Sequence, residues 1–118
     1  IDAKVSTPLI ENVFFKNAPL HDGAMVIHGS RVVAAKCVLP STQQEVPKSY
    51  GMRHRAALGM SEVSDAIIIV VSEETGGISL AHNSVIKRNI DPKHLHQSIR
   101  KLMNINNKRR EEGEQTEE

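Results

Sequence analysis

A continuous aliphatic run at residues 66–71 (AIIIVV) constrains the fold of this chain more than any other feature. Isoleucine and valine favour extended backbone, and an unbroken apolar run is typical of a strand buried on both faces. Such a strand needs apolar partners on each side. We therefore expect it at the centre of a sheet that helices cover.

The segments around this run alternate between helical and strand patterns. We expect helices at residues 8–16, at 53–63 and from Asp91-Pro92 to about residue 106, and strands at 24–28, 32–39 and 78–81. Gly29-Ser30 would make the first two strands a hairpin, and residues 40–51, which are polar and hold two prolines, predict a surface loop. The pattern therefore predicts an α/β (α+β) fold: a central mixed β-sheet, partly antiparallel, flanked by helices.

Length and charge limit the domain organisation and the partners. With 118 residues, 39% of them hydrophobic, we expect one domain at residues 1–105 and a disordered charged tail at 106–118. The body is mildly basic but has no arginine-rich arm, so no nucleic-acid partner is expected. Cys37 is the only cysteine, which excludes a disulfide framework. No run reaches the roughly 18 apolar residues of a membrane span, and no signal peptide opens the chain.

Three side chains that can carry positive charge, Arg53, His54 and Arg55, stand at the start of a predicted helix. Helix starts favour acidic residues, so cations oppose the helix dipole there unless an anion is bound. Arginine offers a planar fork that matches phosphate oxygens, and the helix start adds backbone N–H donors. The motif predicts a phosphate site; the alternative is a solvated first turn of a surface helix.

A second motif, residues 21–24 (HDGA), follows a proline turn and enters a strand. Asp22 could accept a proton from a hydroxyl group, and Gly23 would let a substrate lie against the backbone. The alternative is an Asp-Gly turn that only starts a hairpin. His21 is compatible with metal binding or with a surface role.

A third motif, residues 72–77 (SEETGG), closes the aliphatic strand. The carboxylates of Glu73 and Glu74 could hold the divalent cation that a nucleotide substrate needs, or could simply keep a sheet end soluble. The other histidines show no metal-ligand spacing, and we assign them structural or surface roles; they are His28, His82, His94 and His96.

Taken together, the segments at residues 19–24, 51–59 and 71–77 strongly resemble those of the diadenylate cyclase domain, and the membrane-associated bacterial type in particular. The resemblance covers residues 3–83 and, more loosely, the last helix. It implies the fold of that domain and the condensation of two ATP molecules into cyclic di-AMP with release of two pyrophosphates. It also implies a divalent metal, Mg²⁺ or Mn²⁺.

The same resemblance implies a role for each motif residue. Asp22 is similar to the aspartate that assists the ribose 3′-hydroxyl. The positions that resemble substrate-binding residues are Gly23, Ala24, Leu39, Arg53, His54, Arg55, Ser72 and Glu73, with Leu39 against adenine and Arg53 to Arg55 on the triphosphate. His21 and Glu74 resemble metal-binding positions.

The chain departs from the family pattern at three places. Met52 stands where threonine is common, and Val38 stands where an aromatic that stacks on adenine is often found. The chain also begins at Ile1, and the resemblance implies a further strand and helix upstream, preceded by membrane helices. We therefore expect a truncated catalytic domain from the cytoplasmic face of the cell membrane, with its anchor outside this sequence. The family association also suggests regulatory protein partners.

The product of such a reaction contains two equivalent nucleotides, whereas each chain carries one set of motifs. We therefore expect a homodimer in which two protomers face each other, each holding one ATP. Two alternatives stay open: a nucleotide-binding sensor without turnover, and a metal-dependent nucleotide hydrolase that uses the same carboxylates and histidine.

Overall fold

The computed structural model describes residues 3–14, 23–72 and 75–117 of the chain. The strands are β1 (Ala3–Lys4), β2 (Ala24–His28), β3 (Arg31–Cys37), β4 (Ile68–Val71), β5 (Ile78–His82) and β6 (Val85–Lys87); the helices are α1 (Thr7–Phe14), α2 (Met52–Val63) and α3 (Pro92–Glu117). The predicted α+β class is confirmed. The strands form two antiparallel three-stranded sheets, and the chain divides into two units, Ile1–Leu39 and Pro40–Glu118.

The first unit is built on the predicted hairpin of β2 and β3. His28 pairs with Arg31 across the Gly29-Ser30 turn, and Ala24 pairs with Cys37 at the open end. The strand β1, which the sequence pattern did not predict, adds to the other side of β3, where Ala3 pairs with Val32. Val32 is fully buried.

The second unit contains the aliphatic run, but its position differs from the prediction. β4 lies at one edge of the described sheet, whose order is β4-β5-β6, and the central strand is β5. Val70 is buried, whereas its neighbours Ile69 and Val71 are about half exposed. An unbroken aliphatic run is compatible with burial on one face or on two, so composition alone could not separate the two cases.

α2 packs its small residues against this sheet. Ala57 forms a core cluster with Val70 and Ala81. The predicted apolar face, Ala56, Met60 and Val63, is only partly correct, because the buried stripe is His54, Ala57, Leu58 and Ser61 while Val63 is 71% exposed. The buried Ala57 and Ser61 each lie one position after a residue of the predicted face, and Ala57 is the α2 residue in the core cluster.

A loop crosses α2 at close range. A Cβ atom on Gly59 would collide with the Pro40 carbonyl oxygen and would lie 2.7 Å from the Ser41 carbonyl carbon. The Thr42 N–H donates to the Arg55 carbonyl oxygen at 3.0 Å. The absence of a side chain at Gly59 therefore lets the polar loop lie against the helix.

α3 begins as predicted and ends later than predicted. The Asp91 side chain accepts the Lys93 N–H at 3.0 Å, which caps the helix start. In the segment from residue 106 that was expected to be a disordered tail, the helix continues to Glu117. Lys, Arg and Glu are good helix formers, and the helix is attached by Arg110, whose Nη2 lies 2.9 Å from Asp65 Oδ2. Within the described ranges, no helix has the length and apolar character needed to cross a membrane.

His82 fastens α3 to the sheet. Its Nε2 donates to Asn106 Oδ1 at 2.7 Å, and Asn106 Nδ2 donates to the Asp65 carbonyl oxygen at 2.8 Å. Both His82 and Asn106 are buried, and these two hydrogen bonds give their side chains polar partners. The structural role that the sequence assigned to His82 is what the contacts show.

Candidate functional site

The start of α2 presents positive charge to solvent. Arg53 and Arg55 are exposed, and no acidic residue lies in the first turn. The positive end of the helix dipole points to the same place. Positively charged side chains at the positive end of the dipole destabilise an isolated helix. The arrangement therefore favours a bound anion.

His54 does not contribute a third cation to this surface. It is only 3% exposed, and its Nδ1 accepts the Gly51 N–H at 3.2 Å. A nitrogen that accepts a hydrogen bond carries no proton, so the imidazole is neutral and holds its proton on Nε2. Burial, with a smaller effect from the Arg88 guanidinium, lowers the pKa of His54 below its ordinary value. The sequence interpretation of three adjacent cations is therefore corrected to two.

His54 instead closes the first turn of α2. It stands at the third helical position, where a side chain that reaches back to the N-cap N–H completes one half of a capping box. Gly51 has no side chain and cannot complete the other half. The Arg55 N–H donates to the Gly51 carbonyl oxygen at 3.2 Å, which makes the first helical bond. The motif thus combines a structural histidine with two exposed arginines.

Arg53 is fixed to the end of β4. Its Nη1 donates to the Val71 carbonyl oxygen at 2.8 Å. The next residue, Ser72, opens a turn in which its N–H donates to the Gly77 carbonyl oxygen at 2.9 Å and its carbonyl oxygen accepts the Gly76 N–H at 3.0 Å. The structure therefore brings two predicted substrate-binding residues, Arg53 and Ser72, to one edge of the second unit.

The first unit gathers the predicted nucleoside-binding residues at one end of its hairpin. Gly23 has a φ of +89°, and a Cβ there would lie 2.8 Å from both the Cys37 carbonyl oxygen and the Lys36 carbonyl carbon. The close approach that Gly23 permits is to strand β3, which is a structural reason for glycine. Ala24 pairs with Cys37, and Leu39 follows two residues later, half-buried.

A bulge in β3 produces this close approach. Lys36 has a positive φ of 56°, and the pairing of β2 with β3 shifts between Ala24 and Val26. One extra residue on β3 bends the strand towards β2.

The two residues that depart from the family pattern, Val38 and Met52, are 94% and 87% exposed.

Four predicted site residues lie outside the described residues: His21, Asp22, Glu73 and Glu74. The predicted base and the predicted metal ligands therefore stay predictions. Among the side chains that the structure describes, no group of three His, Cys, Asp or Glu residues could hold a metal ion. The described residues alone do not make a metal site.

Sequence reasoning missed one group of residues around the motif. Arg88 lies over the Tyr50 ring, 4.9 Å from its centroid, and its Nη1 donates to Ser49 Oγ at 2.9 Å. The Tyr50 and His54 rings are 5.6 Å apart at 44°. Tyr50 adjoins the motif and could have been suspected, but nothing in the sequence links Arg88 to a loop 39 residues away.

Comparison with known proteins gives consistent results. Residues 1–86 match the family model described as "DisA bacterial checkpoint controller nucleotide-binding". A diadenylate cyclase of Listeria monocytogenes is 48% identical over 102 residues, which is 86% of this chain and 37% of that protein. The cyclic di-AMP synthase CdaA of Bacillus subtilis is 44% identical over 84% of this chain and 37% of its own length. The chain thus spans little more than a third of these relatives.

Solved structures resemble the chain as well. The crystal structure of a DacA double mutant (N166C/T172C) from Staphylococcus aureus superposes with a TM-score of 0.80 at 44% identity, covering 84% of this chain and 67% of the other. A hypothetical membrane spanning protein from Bacillus cereus gives a TM-score of 0.73, also at 44% identity, over 77% of this chain and 45% of the other.

Proposed function

The chain belongs to the family of diadenylate cyclase nucleotide-binding domains, and from this we propose that it condenses two ATP molecules into cyclic di-AMP and two pyrophosphates. The observation that carries the proposal is the start of α2, where two exposed arginines stand at the positive end of a helix whose first turn contains no acidic residue. Such a site suits the triphosphate of ATP, whose oxygens accept hydrogen bonds from guanidinium and backbone N–H groups.

Each nucleotide has two functions in this reaction. The 3′-oxygen of one ATP forms a bond to the α-phosphorus of the other, and the bond from that phosphorus to the pyrophosphate oxygen breaks. Asp22 takes the proton of the 3′-hydroxyl, and pyrophosphate leaves with the electron pair of the broken bond. The same step, with the roles of the two nucleotides exchanged, closes the ring.

The symmetry of the product calls for two protomers. Each chain has one set of motifs, so a two-fold pair with one ATP in each half places both 3′-hydroxyls opposite the α-phosphates. Catalysis then rests mainly on the positioning of two bound reactants and on neutralisation of their charge. Arg53 and Arg55 hold the triphosphate and withdraw charge from the leaving pyrophosphate.

A divalent cation, Mg²⁺ or Mn²⁺, belongs to the proposal. Such an ion neutralises phosphate charge and lowers the pKa of a coordinated hydroxyl group. His21 and Glu74 would hold it, together with phosphate oxygens. The carboxylate and phosphate oxygens suit both ions.

The proposed setting is the cytoplasmic face of a bacterial membrane. The name of the similar Bacillus cereus protein describes it as membrane spanning, and the chain covers 45% of that protein. Association with a membrane and regulatory protein partners are part of the proposal.

The products of ATP turnover test the proposal. The protein is incubated with ATP and either Mg²⁺ or Mn²⁺, and the nucleotides are separated and identified by mass. Cyclic di-AMP with pyrophosphate is the expected result. ADP or AMP as the main product would identify a hydrolase, and bound but unconsumed ATP would identify a sensor. Arg55→Gln is expected to lower this activity because it removes a charge from the triphosphate site, and Arg100→Gln, an exposed residue of α3, is its matched charge control.

A further inference from the structure

We infer that Arg88 is a positioning residue for the phosphate-binding turn, because it holds the loop before α2 in place through Ser49 and Tyr50. The inference rests on the proposed function, since it assigns Arg88 to the site that binds the triphosphate. Arg88 itself is not placed on the substrate; it acts through the loop and through His54.

The first link joins Arg88 to the loop. Its Nη1 donates to Ser49 Oγ at 2.9 Å, and its guanidinium carbon lies 4.9 Å from the centroid of the Tyr50 ring. A planar guanidinium can stack on an aromatic face and keep its edge free for hydrogen bonds. Two neighbouring loop residues are thus held by one side chain.

The second link joins the loop to the helix start. The Tyr50 ring lies 5.6 Å from the His54 ring, and His54 Nδ1 accepts the N–H of Gly51, which directly follows Tyr50. The Tyr50 N–H donates to the Pro47 carbonyl oxygen at 3.0 Å and closes the preceding turn. The path from Arg88 therefore ends on the residue that caps α2.

The sheet determines the position of Arg88. It directly follows β6, which pairs with the buried central strand β5, and the Ile90 N–H donates to the Ile78 carbonyl oxygen at 2.8 Å. The backbone on both sides of Arg88 is thus bonded to the sheet. Residues 40–51, by contrast, form no helix or strand. Arg88 connects the sheet to a loop that forms neither helix nor strand.

The buried Nε of Arg88 distinguishes a positioning role from a purely stabilising one. Arg88 Nε is buried and has no hydrogen-bond acceptor among the residues that the structure describes. A buried donor without a partner costs stability, so stability alone does not explain the placement. Arg88 also helps to lower the pKa of His54, after burial, and so helps to keep the imidazole an acceptor for the Gly51 N–H.

The test compares Arg88→Gln and Arg88→Lys with the control Arg100→Gln. Affinity for a non-hydrolysable ATP analogue is measured by calorimetry, and the protonation of His54 is followed by NMR. Arg88→Gln is expected to lower the affinity for the analogue about tenfold, which is the effect of loosening one or two hydrogen bonds. It is also expected to raise the pKa of His54. Arg88→Lys keeps the charge but loses the fork, so the His54 pKa should stay low while affinity falls by less.

A double variant tests the path itself. If Arg88 acts through Tyr50, then Arg88→Gln combined with Tyr50→Ala should bind the analogue no more weakly than the weaker single variant. Additive losses would overturn the path. If Arg88→Gln binds the analogue as the unchanged protein and the Arg100→Gln control do, and the pKa of His54 is the same in all three, then Arg88 has no positioning role.

These results separate the inference from the proposed function. A protein that binds the analogue and loses affinity in Arg88→Gln, yet makes no cyclic di-AMP from ATP, supports the inference and overturns the cyclase proposal. A protein that makes cyclic di-AMP, but whose affinity for the analogue is unchanged by Arg88→Gln, supports the cyclase proposal and overturns the inference. Absence of nucleotide binding in the unchanged protein would overturn both. If Arg88→Gln does not fold, Arg88→Lys decides by the same measurements.

Discussion

The imidazole of His54 closes the helix start onto Gly51, because its Nδ1 accepts the Gly51 N–H at 3.2 Å. This contact divides the Arg-His-Arg motif into two functions. The histidine is buried, neutral and structural, while the arginines on either side are exposed and cationic. A motif that looks like three charges in sequence is therefore a hydrogen-bonded helix start with two.

Replacement of His54 by glutamine or alanine separates capping from titration. Glutamine at the third helical position can still accept the Gly51 N–H, so we expect His54→Gln to fold stably. Alanine leaves a buried donor without a partner and should lower the free energy of unfolding by about 1–3 kcal/mol. Urea unfolding at pH 7.5 measures both variants. Equal stability of the two would show that the cap contributes nothing.

The lowered pKa of His54 predicts that the stability of the fold depends on pH. The folded pKa of His54 lies below the ordinary 6.5, so between these two values the unfolded chain binds the proton and the folded chain does not. Stability should therefore fall as pH drops below about 6.5, and this loss should end below the folded pKa. Arg88 is the charged group that contributes to the lowered pKa. Unfolding of the unchanged protein and of His54→Gln from pH 7.5 to 5 isolates the effect from the other five histidines; parallel curves would contradict it.

Replacement of Arg53 and replacement of Arg55 should differ in their effects on the free energy of unfolding. Arg55→Ala is expected to weaken ATP binding by about 1.5–3 kcal/mol for the lost charged hydrogen bonds, with little change in stability. Arg53→Ala should show the same loss of binding and also a lower free energy of unfolding, because its bond to the Val71 carbonyl oxygen is broken. Calorimetric titration and urea unfolding check each variant. Lysine should restore only part of the binding, since it lacks the fork.

Most of the fold could be predicted from the sequence where local signals were strong. The hairpin around Gly29-Ser30, the helix at Met52–Val63 and the cap at Asp91 follow from turn chemistry, periodicity and capping. The position of β4 could not be predicted, because an aliphatic run does not reveal how many of its faces are covered. Strand β1 is two residues long and exists only through its pairing with β3, a tertiary contact without a local pattern.

The roles of the candidate site residues stay predictions, and the structure adds where the described ones lie. Arg53 is bonded to the end of β4, directly before Ser72 in the chain. The neutral state of His54 could not be foreseen, since it depends on burial and on Arg88, which lies 34 positions away in the sequence. The function of Gly23 was likewise ambiguous, because a glycine near a substrate and a glycine against a bulged strand look the same in sequence.

Gly59 tests the packing of the loop on α2. Gly59→Ala places a methyl group against the Pro40 carbonyl and should lower the free energy of unfolding by about 1–3 kcal/mol, the usual range for overpacking. Gly29→Asn is the matched control, since nothing lies near a Cβ at Gly29 and asparagine tolerates its positive φ of 61°. Thermal unfolding compares the two. A tolerated alanine at Gly59 would mean that the loop does not lie against the helix in solution.

Asp22 is the proposed base, and Asp22→Asn should abolish cyclisation while leaving ATP binding largely intact. The amide is nearly isosteric with the carboxylate but cannot take a proton from the 3′-hydroxyl. Rates of product formation and calorimetric titration with an ATP analogue are measured on the same preparation. Turnover within a few-fold of the unchanged protein would remove Asp22 from the chemical step.

The most direct test of the account follows the two adenosines into the product. The protein is given equal amounts of ordinary ATP and ATP with heavy adenine, at concentrations of protein that span the monomer–dimer transition. Two substrates joined by a symmetric pair should give cyclic di-AMP in which the singly heavy form is about twice as abundant as either uniform form, and specific activity should rise with protein concentration before it levels off. Labelled ADP or AMP without any cyclic dinucleotide, or a specific activity that is constant where light scattering shows only monomer, would contradict it.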